Sequence, residues 1–192
     1  MKIIGFIGMP GSGKSEASEV AKSMGLKVVI MGDIIRQEAA RLGLEPTDEN
    51  LGKVGNTLRE KEGPDAIARR SLDVAKGSGE GLVIIDGIRS KIEVDHFRAH
   101  SDEFKLVEIW TSPEARLKRL ASRRRSDDGA VSHESLKRRE SREMGWGMGE
   151  AIKAVDVRIC NEGIIEDLKN SVREFLRLCS RDLRREKDLW SG

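Results

Sequence analysis

The sequence has no tyrosine and only three tryptophans and four phenylalanines, so little aromatic surface is on offer for stacking nucleobases. Its two cysteines, Cys160 and Cys179, are too few for a disulfide framework in 192 residues, and no basic n-region with an apolar h-region precedes the first motif. A cytoplasmic location is the resulting expectation. Apolar runs are only four to six residues long, as in Leu82-Val83-Ile84-Ile85, whereas a bilayer span needs roughly 18 to 20. No membrane partner is expected. An excess of one charge is missing too: 35 Lys plus Arg against 33 Asp plus Glu leave a net charge of +2. Bulk electrostatics therefore do not call for nucleic acid, which is not expected as a partner. What is present, 38% hydrophobic and 35% charged residues, suits one compact domain over residues 1–192.

Ile3-Ile4-Gly5-Phe6-Ile7 is a short apolar run stopped by a Gly/Pro/Ser-rich loop from Gly8 to Gly13, after which Val20 and Met24 mark the apolar side of a helix. Further apolar runs at Val28 to Met31, Leu82 to Ile85, Leu106 to Trp110 and Val155 to Cys160 alternate with longer, helix-prone polar segments. Strands covered by helices on both faces show such runs, which predicts an α/β open sheet of about five strands. Residues 33–81 are too long for a simple crossover and are expected to form a helical insertion. Residues 116–149 turn strongly basic, with Arg123-Arg124-Arg125 and Lys137-Arg138-Arg139, and are expected to be an exposed helical insertion. Ile165, Leu168, Val172, Phe175, Leu176, Cys179 and Leu183 recur three or four apart, one apolar stripe on a long helix that covers the sheet. The charged end of that helix, Arg181 to Trp190, leaves a homodimer contact open as the minority reading.

Gly8-Met9-Pro10-Gly11-Ser12-Gly13-Lys14-Ser15 matches G-x-x-x-x-G-K-[ST] between a predicted strand and a predicted helix. Glycines let successive backbone N–H groups turn toward phosphate oxygens, and the helix N-terminus adds partial positive charge. Lys14 would reach the outer phosphates and the Ser15 hydroxyl would ligate Mg²⁺, so the loop, with Glu16 following it, is read as an ATP site. Asp86 ends an apolar strand, where a carboxylate can hold the magnesium ion or one of its waters opposite Ser15.

An Asn-Lys-x-Asp guanine reader and an Asp-x-x-Gly phosphate sensor are both missing, since Asp86-Gly87-Ile88-Arg89 and Asn161-Glu162-Gly163 fit neither. Their absence moves the balance from switching toward transfer chemistry. Asp33-Ile34-Ile35-Arg36 follows the second strand, with Asp33 placed as a helix N-cap and Arg36 one turn on. Arg36 and Arg89 can together hold a second phosphorylated molecule. Asp33 is then a catalytic base or a hydroxyl anchor, and both roles stay open.

These residues resemble the P-loop nucleotide kinases, chiefly adenylate-kinase-like and dephospho-CoA-kinase-like proteins, and an archaeal family of uncharacterised members of that group. The likeness runs from Lys2 to about Gly163. Gly32-Asp33-Ile34-Ile35-Arg36 looks like the Gly-Asp-x-x-Arg that opens the acceptor-binding helices of the adenylate-kinase-like enzymes. Asp86-Gly87-Ile88-Arg89 is similar to their Asp-Gly-Phe-Pro-Arg, although the proline is missing. Asn161 falls in a segment that resembles their last strand and the loop beside the adenine base. Arg119, Arg123 and Arg125 sit where that family has a lid whose arginines stabilise the transferring phosphoryl group, and Glu16 stands where many relatives carry a Thr.

The resemblance implies a three-layer α/β/α fold with strand order 2-3-1-4-5 and a helical lid over residues 116–149. It also implies ATP- and Mg²⁺-dependent transfer to a nucleoside monophosphate or dephospho-CoA type of acceptor, with Lys14, Asp33, Arg123 and Arg125 as catalytic residues. The competing reading is a P-loop ATPase that switches a protein or RNA partner. Among smaller signals, Cys160 is expected to pack as a small hydrophobe on a core strand. Gly145-Trp146-Gly147 reads either as a lid hinge or as a rigid turn capped by Trp146.

Overall fold

The structure, a computed structural model, describes residues 1–122 and 133–189. The chain runs β1 (Lys2–Ile7), α1 (Lys14–Ser23), β2 (Lys27–Ile30), α2 (Met31–Arg41), α3 (Asp48–Glu62), α4 (Ala66–Gly77), β3 (Leu82–Asp86) and α5 (Lys91–Ala99). It continues with β4 (Glu103–Trp110), α6 (Pro113–Ser122), α7 (His133–Gly145), α8 (Met148–Lys153), β5 (Val157–Cys160) and α9 (Ile165–Leu189). The five strands form one parallel sheet in the order β2-β3-β1-β4-β5, the count expected from the apolar runs and the order that the family resemblance implies. Ile4 in the central strand lies between Ile84 of β3 and Lys105 of β4.

Strand alternation sends side chains into two cores, because successive residues of a strand point to opposite faces. Ile3, Ile7, Val83, Ile85 and Leu106 meet Ile34 and Ile35 of α2, Leu58 of α3, Leu72 of α4, Phe97 of α5 and Met148 of α8. Ile4, Phe6, Ile84, Val107 and Ile109 meet Ala17 and Val20 of α1 and Leu168, Val172 and Leu176 of α9. Each fully buried Ile, Leu or Phe contributes about 1.5–3 kcal/mol relative to exposure. Gly5 permits the tight seat of Ile88, since a Cβ there would lie 2.4 Å from Ile88 Cδ1.

Four details depart from the sequence reading. Helix α2 begins at Met31, directly after β2, so Asp33 lies in its first turn and the N-cap is Ile30, which offers no side-chain bond. Strand β5 begins at Val157 because the Asp156 carboxylate accepts from the Leu106 N–H at 2.7 Å and substitutes for the strand's first rung. Cys160 is exposed, because β5 is an edge strand and of its residues only Ile159 is buried. The basic segment is not a fully solvated insertion: Arg116, Leu136 and Glu143 are all buried.

Candidate functional site

The loop between β1 and α1 turns through glycines whose backbone other residues rarely adopt, Gly11 at φ 80° and Gly13 at φ 103°. Space also demands glycine at position 13, where a Cβ would lie 2.4 Å from Asn161 Nδ2. The loop is braced by the segments that follow β4 and β5. Asn161 Nδ2 donates to the Ser12 carbonyl at 2.8 Å, and Thr111 Oγ1 donates to the same oxygen at 3.0 Å. Arg119 Nη2 donates to the Asn161 carbonyl at 2.9 Å, and Arg116 Nη1 donates to the Pro10 carbonyl at 3.2 Å. Ser12 Oγ is buried and has no hydrogen-bond partner among the described residues, a polar atom suited to a ligand or water at the loop.

Lys14 is half-buried at the start of α1, where its ammonium donates to the carbonyls of Gly8 and, at 3.2 Å, Met9. Burial lowers its pKa to about 8, against the pull of Glu143 and Asp86 and with a further push from Arg89 and Arg139. Asp86 is buried at the end of β3 and accepts from Ser18 Oγ at 2.8 Å. Gly11, Gly13, Ser15, Glu16, Arg119, Asn161, Gly163 and Ile165 line a cavity of about 230 Å³ beside the loop. Gly8, Pro10, Ser12 and Lys14 complete the predicted nucleotide set within the same loop.

A second, smaller cavity of about 40 Å³ is lined by Arg36, Arg89, Arg139 and Arg142, with Trp146, Asp48 and residues of α2 and α3 completing it. Arg36 and Arg89, singled out from the sequence, thus share one cleft. Asp33 pairs with Arg36 at 2.7 Å, both side chains half-exposed. Arg89 is held through its backbone N–H, which donates to Glu93 Oε2 at 2.8 Å. Glu93 is completely buried, is joined to the helix start by the Ser90 hydroxyl, and also pairs with Arg59 at 2.9 Å. Arg123 and Arg125 lie outside the described residues.

Several residues of this cleft escaped the sequence reading. Arg142 pairs with Asp48 through two bonds of 3.1 and 2.7 Å and docks α7 on α3. Trp146 donates to Asn56 Oδ1 at 2.8 Å, while the guanidinium of Arg59 stacks 4.3 Å from its ring. The Trp146 turn is thus packed against α3. Glu143 is 2% exposed and lies 3.6 Å from Arg89 and 3.4 Å from Arg139. Burial alone would raise its pKa, yet Arg89, Lys14 and Arg139 hold it below the usual carboxylate range. The available signal was the spacing of Leu136, Arg139 and Glu143, a helix face at three- and four-residue intervals with only one apolar member.

Residues 7–137 match the family model of an AAA domain. A protein of Methanothrix thermoacetophila designated a UPF0200 protein is 55% identical over 183 residues, covering 93% of this chain and 99% of that one. The chain belongs to the UPF0200 family, built on an AAA-type domain. The UPF0200 chain also superposes on a gluconokinase from Sinorhizobium meliloti, with a TM-score of 0.58 and 16% identity over 96% of this chain and 97% of the other. A shikimate kinase from Acinetobacter baumannii, solved with shikimate, gives a TM-score of 0.55 and 17% identity over 94% and 93% of the two chains. This UPF0200 protein therefore has the P-loop kinase fold. No described helix is long and apolar enough to cross a membrane.

Proposed function

We propose that this protein is an ATP- and Mg²⁺-dependent phosphotransferase acting on a small phosphorylated acceptor, of the nucleoside monophosphate or dephospho-CoA type. One observation carries the reading: a cavity of about 230 Å³ opens at the phosphate-binding loop, and a separate cleft is lined by Arg36, Arg89, Arg139 and Arg142. The nucleotide lies along the loop, its base beside Arg119 and Asn161 and its phosphates against the loop N–H groups and Lys14. The acceptor's own phosphate is taken by Arg36 and Arg89. Residues 33–81 supply most of the acceptor side, and residues 116–149 act as the lid that brings Arg123 and Arg125 to the transferring group.

The donor set suits magnesium. Ser15 offers a hydroxyl and Asp86 a buried carboxylate with one oxygen already engaged by Ser18, which fits a cation coordinated chiefly by phosphate oxygens and water. Bound there, the ion would supply charge neutralisation. In the transfer an acceptor oxygen forms a bond to the γ-phosphorus as the bond to the β–γ bridging oxygen breaks, and ADP leaves with that electron pair. A phosphate oxygen needs no base; a hydroxyl acceptor would pass its proton to Asp33. Positioning and charge neutralisation supply most of the rate, and an arginine at the transition state is worth roughly 10³ to 10⁵.

The test is Mg-ATP turnover against nucleoside monophosphates and dephospho-CoA, with product identified and Lys14→Ala as the blank. Acceptor-dependent, Lys14-dependent product is expected. ADP release with no phosphorylated product would replace the reading with an ATPase that switches a partner.

A further inference from the structure

Glu143 is a buried carboxylate 3.6 Å from Arg89 and 3.4 Å from Arg139 and within the field of Lys14; the proposed transfer assigns Lys14 and Arg89 to phosphates, and Arg139 lines the acceptor cleft. It is the largest electrostatic support for the Lys14 ammonium. Fixing α7 does not require it, because Arg142 already pairs with Asp48 and Trp146 with Asn56. Nor is it suited to take up a proton, since three nearby cations favour its ionised form. A negative group here does what an incoming phosphoryl group would do: it balances the part-buried guanidinium groups of Arg89 and Arg139.

We propose that Glu143 is an internal stand-in for the transferred phosphoryl group and a specificity-determining residue that favours the acceptor over water. A nucleotide arriving alone brings its γ-phosphate to Lys14 against the field of the Glu143 carboxylate, and like charges close together repel strongly away from bulk water. An acceptor whose anionic group draws Arg89 and Arg139 removes two of the three partners of Glu143 and lets it withdraw. Productive nucleotide binding is thereby tied to acceptor binding, and transfer to water, which forms inorganic phosphate and releases ADP and a proton, is held back. This inference rests on the phosphotransferase reading.

The test is the affinity for Mg-ATP, and for inorganic tripolyphosphate as a base-free probe, measured calorimetrically without acceptor. The proteins compared are wild type, Glu143→Gln, Glu143→Asp and Lys14→Ala, each with a thermal melt. Glu143→Gln keeps the shape and loses the charge, and is expected to bind both probes at least tenfold more tightly and to release ADP faster without acceptor. Glu143→Asp, with its carboxylate drawn back by one methylene, is expected to show a threefold gain and serves as the readout if the Gln variant does not fold. Unchanged or weaker binding in the folded variants overturns the inference, and so does loss of acceptor transfer at unchanged affinity, which would make Glu143 a base. In both cases Lys14-dependent binding by the wild type leaves the phosphotransferase reading standing. Absence of Mg-ATP binding from wild type and Gln variant alike overturns both.

Discussion

Asn161, at the end of β5, donates its Nδ2 hydrogen to the carbonyl of Ser12, 149 residues earlier, at 2.8 Å. The same side chain fills the space that the missing Cβ of Gly13 leaves open, and its own carbonyl receives Arg119. The phosphate-binding loop is therefore shaped from outside as well as by its glycines.

Asn161→Ala leaves a hole against Gly13 and deprives the Ser12 carbonyl of one of its two donors, Thr111 remaining. A stability loss of about 1–3 kcal/mol is expected for breaking this buried contact. Mg-ATP affinity should fall by more than the global stability loss explains, because the loop relaxes locally. Chemical denaturation and calorimetric titration on the same variant separate the two; unchanged affinity would confine Asn161 to packing.

The pKa of about 8 at Lys14 gives nucleotide binding a defined pH dependence. Above that pH the free protein loses the ammonium that phosphate requires, so affinity should fall by up to about tenfold per pH unit, with proton uptake on binding. Stability moves the other way. Between about 8 and the ordinary value of 10.5 the unfolded chain binds the proton that the folded chain has released, so Lys14's contribution to stability rises with pH across that window. Lys14→Ala should remove both dependences together with turnover, and calorimetry in buffers of different ionisation enthalpy counts the protons.

Arg36 and Asp33 form a half-exposed pair, of a kind worth at most about 1 kcal/mol. Arg36→Ala should therefore melt close to wild type, raise the KM for the acceptor at least tenfold and leave Mg-ATP affinity alone. Equal losses on both sides would mark Arg36 as structural.

Trp146 gathers Arg59, Arg89 and Arg142, whose guanidinium carbons lie 4.3, 5.5 and 5.6 Å from its ring centre. Trp146→Ala should let these like charges spread, weaken the acceptor cleft more than the nucleotide site and lower the melting temperature by several degrees. Steady-state kinetics with each substrate varied in turn gives the comparison.

The sequence by itself determined whatever depends on neighbours along the chain. Gly8 to Ser15 announce a phosphate-binding turn because glycine conformation, lysine reach and helix start are set by spacing alone. Apolar runs such as Leu82 to Ile85 announce buried parallel strands because coverage on both faces removes alternation. The pairing of Arg36 and Arg89 was legible because each follows a strand of the same sheet at the end where ligands gather. Only the tertiary structure decided which face of the basic segment turns inward, and thus that Glu143 pairs with Arg89 and Arg139 while Arg142 reaches Asp48. Burial is a property of packing, and a charged helix carries little apolar periodicity to betray it. For the same reason the exposure of Cys160 on the edge strand β5 and the support that Asn161 gives the Ser12 carbonyl were not legible, since both follow from how the chain packs.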